Sequence, residues 1–355
     1  MIIDIHGHYT TEPAALHRFR ERQVKGELDF GATSHDLDLG ISDAEIIASV
    51  QPQLALQRAR GSDLTLFSPR AAGMGHHIGT EAVGRDWARL SNDMIHRVCR
   101  LLPENFAPVG QLPQVSGISP SNCVPELERI AGLGFVGVNL NPDPSGGHWK
   151  EPPLTDRQWY PLYEKLVELE MPAMIHVSGS CNPAFHHTCA HYINADTTAF
   201  MQLLQGDLFH DFPQLKFVIP HGGGAVPYHW GRYRGLAMML KKPTLARHLL
   251  NNVFFDTCVY HLPGIALLAQ VVPVDNILFG SEMLGAVRDI DPETGHHFDD
   301  TRRYIEQVAS LSKADRCKIF DGNARRVYPR LGRAAWKPVT ETIPPDRSRD
   351  VPSAS

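Results

Sequence analysis

Short apolar runs recur along the chain, separated by stretches with helical spacing. The first run covers 1–5, is interrupted only by Asp4, and meets His6-Gly7-His8 at its end. Later runs lie at 63–68, 106–112, 135–140, 172–177, 215–219, 253–255 and 277–279. Their length and their turn-forming boundaries predict strands. Between them the apolar period changes to that of a helix. Ser42 and Glu45 have the spacing of a capping box, apolar residues follow at 46, 47 and 50, and Pro52 bends or restarts a helix running to 60. Trp87, Leu90, Met94 and Val98 fall on one face of a helix over 81–102. Helices are also predicted at 120–133, 156–169, 196–209, 225–250, 262–271, 300–311 and 314–328. Loops are expected at 69–77, 141–147 and 178–194, the last rich in histidine.

Eight short strands alternating with helices predict a parallel sheet closed on itself. The expected fold is α/β, a distorted (β/α)8 TIM barrel with a helical insertion after strand one. An open doubly wound sheet is the rival, but no Gly-x-Gly-x-x-Gly follows any strand. The barrel is expected to fill 1–330 as one catalytic domain. The remainder, 331–355, is rich in Pro, Arg, Ser and Thr and predicts an extended or disordered tail.

Composition narrows the class. Apolar residues make up 43% and charged residues 21% of the 355, as in an ordinary soluble protein. A formal charge of −5 argues against a nucleic-acid partner. No apolar run approaches the roughly 20 residues of a membrane span. The N-terminus has no basic leader or apolar targeting segment, so a cytoplasmic location is expected. The 6 cysteines show no Cys-x-x-Cys spacing, which predicts free thiols rather than a zinc knuckle or redox pair.

In such a barrel all strand C-termini meet at one rim, where active sites are built. His6 and His8 point the same way from a strand, with Cα atoms about 7 Å apart. They can therefore share one metal ion, each bond being about 2 Å long. Other strand ends supply Arg70, Asn139, Asn141, His176, His221 and Glu282. His176 alone suits a hydrogen-bonded core histidine, and Glu282 an ion-pair partner. Together, three imidazoles and a carboxylate on one rim suit a mononuclear metal site with room for water, and His221 lies beside it. The donor set favours Zn2+, with manganese or iron as substitutes.

His6-Gly-His8, Met174-Ile-His176, Pro220-His221-Gly-Gly-Gly and Gly280-Ser281-Glu282 resemble the motifs of the amidohydrolase superfamily. The resemblance spans about 1–328 and is strongest to the branch of 2-amino-3-carboxymuconate semialdehyde and resorcylate-type decarboxylases. That branch usually ends strand eight with Gly-Ser-Asp or Gly-Thr-Asp, whereas this chain has Gly-Ser-Glu. The glutamate, Arg70-Ala-Ala-Gly-Met-Gly-His-His77 and His176-Val-Ser-Gly-Ser-Cys-Asn-Pro183 are similar to the superfamily's hydratases of unsaturated keto acids. That resemblance implies reversible addition of water to 2-keto-4-carboxy-3-hexenedioate, giving 4-carboxy-4-hydroxy-2-oxoadipate in protocatechuate and gallate breakdown. Water would attack C4 while C3 receives a proton.

The resemblance further implies that His6, His8 and His176 hold one divalent ion. Glu282 is then a fourth ligand, the base for water, or both, and His221 competes for the base role. Tyr192 is the implied proton donor to C3, with His76, His77, His186, His187 and His191 as other candidates. Three carboxylates on a small tricarboxylate substrate call for two-pronged arginine contacts. Arg70, Arg232, Arg234 and Arg288 follow predicted strand ends, and His76, Asn182 and Ser281 can add neutral contacts. Analogy with related barrels implies a homodimer. A metal-dependent decarboxylase, a lactone hydrolase and a non-catalytic metal-binding module are the alternatives. Cys181 and Cys189 with His186 and His187 fit no common zinc-finger spacing.

Overall fold

The computed structural model describes residues 1–28 and 39–333. Of the tail expected at 331–355, residues 334–355 lie outside the described residues, and Leu331 and Gly332 instead belong to a short 3-10 helix, Pro329–Gly332. Eight parallel strands pair in chain order: β1 (Ile3–Tyr9), β2 (Leu64–Pro69), β3 (Phe106–Gln111), β4 (Gly137–Leu140), β5 (Ala173–Ile175), β6 (Phe217–Ile219), β7 (Val253–Asp256) and β8 (Ile277–Leu278). Nearly every strand residue is buried, because helices cover the outside and side chains fill the middle. Strands buried on both faces read as continuous apolar runs, which is why all eight were visible in sequence. Phe67, Phe106, Phe217, Phe254 and Phe255 are among the largest fully buried side chains.

The ends of the sheet are joined. Ile5 N donates to Phe279 O and Glu282 N donates to His6 O, both at 2.9 Å. The Asp4 carboxylate of β1 also accepts from the Ser281 backbone at 3.0 Å and its hydroxyl at 2.5 Å. Asp4, the polar break in the first apolar run, is thus part of the barrel's seam. It also accepts from His6 N at 3.1 Å, and the register of β1 against β2 shifts between Asp4 and Gly7. A side chain at Gly7 would collide with Thr65, so β2 approaches where only glycine leaves room.

Helix Asp43–Ser49 carries the capping box of Ser42 and Glu45, and Pro52 sits in the first turn of a second helix, Gln51–Arg60. Trp87, Leu90, Met94 and Val98 form part of the buried face of helix Glu81–Leu101. β1 runs on to Tyr9, so both histidines lie within the strand, as their shared direction requires. The structure differs from expectation after β2 and after β5. The glycine-rich stretch after β2 holds a short helix, Ala71–Met74. The helix expected from 196 begins at Cys189, because no Gly or Pro interrupts the chain between Pro183 and Gly206. Tyr192 is therefore on a helix, not in a loop. Among the described residues no helix is long and apolar enough to cross a membrane.

Candidate active site

β1, β5, β6 and β8 bring five side chains together at their C-terminal ends. His6 Nε2 lies 3.0 Å from His8 Nε2, which lies 3.3 Å from His176 Nε2. His6, His176, His221 and Glu282 each offer one atom within 4.8 Å of the others'. The far nitrogen of each inner ring is occupied. His6 Nδ1 donates to Asp256 Oδ2 at 2.7 Å, His176 Nδ1 to Val177 O at 2.9 Å, and His8 Nδ1 to Ser68 Oγ at 2.7 Å. Such partners fix the tautomer and aim the other nitrogen, as they do for metal-binding histidines. Burial, helped by the neighbouring ring of His6, pushes His8 down to about 3. Burial and the neighbouring imidazoles hold His176 well below its ordinary value. His8 and His176 are neutral, and their inward lone pairs repel one another at 3.3 Å. A divalent cation among them turns that repulsion into binding, so the residues fit a metal ion.

His221 stands beside this group. Its Nδ1 meets Asp196 Oδ2 at 2.8 Å, and its buried Nε2 has no hydrogen-bond partner. Burial alone would discharge the ring, but Asp196, Glu282 and Asp256 push it up to about 9. Burial would likewise raise the Glu282 carboxyl, yet His221, His6 and His8 hold it below its ordinary value. Tyr192 stacks on His221 with centroids 5.5 Å apart and meets His176 edge-on at 5.1 Å. Burial and then Glu282 raise its phenol far above the usual range, so it keeps its proton. His221 and Glu282 have φ of 51° and 52°, left-handed values that cost a non-glycine residue about 1–3 kcal/mol.

A cavity of about 270 Å3 opens onto the group, lined by His8, His176, Tyr192 and Glu282, with Thr10 and Thr188 at its side. Arg70 and Arg288 line it too. Arg288 reaches only the carbonyl of Gly285, and neither guanidinium is ion-paired among the described residues. The remaining predicted contacts stand elsewhere. Arg232 and Arg234 are on helix Trp230–Met239, which starts well beyond β6, and Arg234 lines a separate groove with Met238 and Leu245. His76 Nδ1 accepts from Asn141 at 2.8 Å, and Asn182 donates to Gly147 O at 2.8 Å. Ser281 is committed to Asp4. Among the described residues no group of metal-ligand geometry includes Cys181, Cys189, His186 or His187.

Three supporting residues escaped the sequence reading. Asp256 directly follows the apolar run of β7, so the strand-end rule that found Glu282 reaches it too. Asp196 and Tyr260, which touch His221 and Glu282, sit in a helix and a turn where no local signal marks them.

A family model described as amidohydrolase matches residues 3–330. The chain is 60% identical over 333 residues to a 2-keto-4-carboxy-3-hexenedioate hydratase from Sphingobium sp., covering 93% of this chain and 97% of the relative. The crystal structure of a 4-oxalomesaconate hydratase from Rhodopseudomonas palustris superposes with a TM-score of 0.86 at 59% identity, over 94% of this chain and 97% of that one. A manganese-bound dihydroxybenzoic acid decarboxylase from Polaromonas sp. shares the fold at a TM-score of 0.67 and 21% identity, over 92% and 96% of the two chains. The chain belongs to the amidohydrolase family.

Proposed function

We propose that this protein is a metal-dependent hydro-lyase that adds water reversibly to 2-keto-4-carboxy-3-hexenedioate, giving 4-carboxy-4-hydroxy-2-oxoadipate in protocatechuate and gallate breakdown. The hydratase relatives support this reading, and one feature of the site carries it: an ionised Glu282 stands near neutral His8 and His176 and faces a cavity lined by two arginines without an ion-pair partner among the described residues. His6, His8 and His176 would hold the ion, with Glu282 as fourth ligand, a set that suits zinc. When bound, such an ion supplies Lewis acidity, which makes water nucleophilic near neutral pH.

The side chains account for the rest of the reaction. Glu282 takes a proton from the attacking water, and the hydroxyl joins C4. Tyr192, protonated and at the cavity wall, delivers a proton to C3, and the cycle closes when Glu282 releases its proton to solvent and the phenolate takes one back. His221, held by Asp196, can donate a hydrogen bond to a substrate oxygen through its unpartnered Nε2. Arg70 and Arg288 receive carboxylates, each charge-assisted bond being worth about 1.5–3 kcal/mol. The free state of all 6 cysteines agrees with a reducing, cytoplasmic setting. The partner is a small tricarboxylate, not nucleic acid or membrane, and assembly as a homodimer follows only by analogy.

The test is to incubate zinc-loaded protein with the keto-hexenedioate, following loss of its conjugated absorbance alongside carbon dioxide. Absorbance loss with formation of the hydroxy product is expected. Gas release without that product would overturn the proposal in favour of a decarboxylase. Glu282→Gln should fold normally and lose about 10²–10⁴-fold in kcat, the usual worth of a general base. Near-normal turnover would remove Glu282 from that role.

A further inference from the structure

A glutamate has one more torsion than the aspartate usual in the related decarboxylases, and its terminal torsion is broad. Something must hold it if one oxygen is to face the reaction. Tyr260 Oη donates to Glu282 Oε2 at 2.7 Å. Cys258 Sγ at 3.6 Å and His221 Nε2 at 3.8 Å approach the same oxygen. Among the described residues no side chain donates to Oε1, while Glu282 lines the cavity. We propose that Tyr260 is a positioning residue: its hydroxyl captures Oε2 of Glu282 and thereby leaves Oε1 turned to the metal and the water. The proposal rests on the hydratase reading and deepens it.

The turn that carries Tyr260 is itself anchored to the site. Asp256, at the end of β7, accepts from Cys258 N and Gly222 N, each at 3.0 Å, through Oδ1. Its Oδ2 accepts a hydrogen bond from His6 Nδ1 at 2.7 Å. One short segment thus fixes a predicted ligand, the turn beside His221 and the carboxylate of Glu282. Tyr260 has φ 27°, a conformation that a tyrosine keeps only where its surroundings over-determine it. An aspartate at 282 would end one bond short of the phenol, so the clamp and the longer side chain belong together.

Tyr260→Phe removes the hydroxyl and keeps the ring. Two quantities are measured for the variant: kcat with the keto-hexenedioate, and zinc affinity of the metal-free protein by competition with a chelator. Each should fall roughly 10–100-fold, as when other partners of a ligand are removed, with KM little changed. The same change made on top of Glu282→Asp should alter neither, since the shorter carboxylate cannot reach Tyr260. Wild-type values in Tyr260→Phe would overturn the proposal. Equal losses in both backgrounds would also overturn it, because they would mark Tyr260 as packing alone. If the wild type does not hydrate the substrate, the hydratase reading fails, and the zinc titrations still decide the role of Tyr260.

Discussion

Arg70 stands at the cavity with Glu12 close behind it, and its guanidinium acts on the Glu12 carboxyl. Burial pushes the Glu12 carboxyl up to about 7, and Arg70 offsets only part of this. The unfolded chain titrates this group near 4.5, so between that value and 7 the folded protein holds a proton that the unfolded one has lost. Stability therefore falls as pH rises through this window. Glu12→Gln should remove that slope, leaving stability unchanged at about pH 4 and raising it by about 1–3 kcal/mol at pH 8. Denaturant unfolding at the two pH values checks this, and equal slopes in variant and wild type would refute it. Individual residues were legible where spacing does the work. His6 and His8 declared themselves because a strand repeats every second residue. Arg232 and Arg234 lie on helix Trp230–Met239 and not among the residues lining the cavity, because nearness to a strand end in sequence says nothing about where the next helix carries a side chain.

Elements were legible for a similar reason. A strand buried on both faces has no polar face, so β2 to β7 appear as apolar runs and their C-terminal residues name the rim. What joins one element to another was not legible. Arg60 ends helix Gln51–Arg60 and donates to Asp299 at 2.7 Å, and Asp299 accepts from Leu284 N at 3.0 Å. These partners lie 239 residues apart in sequence, and nothing in either local pattern points to the other. The pair pins the turn after β8, where Leu284 has φ 59°, two residues beyond Glu282. Both side chains are buried, at 9% and 2% exposure. Arg60→Ala would take the guanidinium from the buried Asp299 side chain and leave it the Leu284 N–H, which should cost about 3–5 kcal/mol. Loss of less than about 1 kcal/mol in denaturant unfolding would place the pair among surface ion pairs instead.

At the scale of the molecule, the proposed metal ligands and the barrel's seam coincide. β1 and the stretch 279–282 just after β8 meet through two backbone bonds and the Asp4–Ser281 contact, and the same two segments carry His6, His8 and Glu282. Ser281→Ala should cost about 1–3 kcal/mol, because it strips a donor from a buried carboxylate. KM should stay unchanged, which separates a seam residue from a substrate contact; a large rise in KM would restore the binding role read from sequence. A metal ion held by His6, His8, His176 and Glu282 would add a second closure, one that exists only in the folded state. Zinc at about a thousand times its Kd should then stabilise the protein by about 4 kcal/mol. Stripping the metal with a chelator should lower the thermal midpoint by several degrees, and adding zinc back should restore it. His6→Ala should melt at the same temperature with and without zinc, since its loss removes a ligand from β1 and leaves only part of the bridge. A zinc-dependent shift as large in His6→Ala as in the wild type would place the stabilising ion away from this rim.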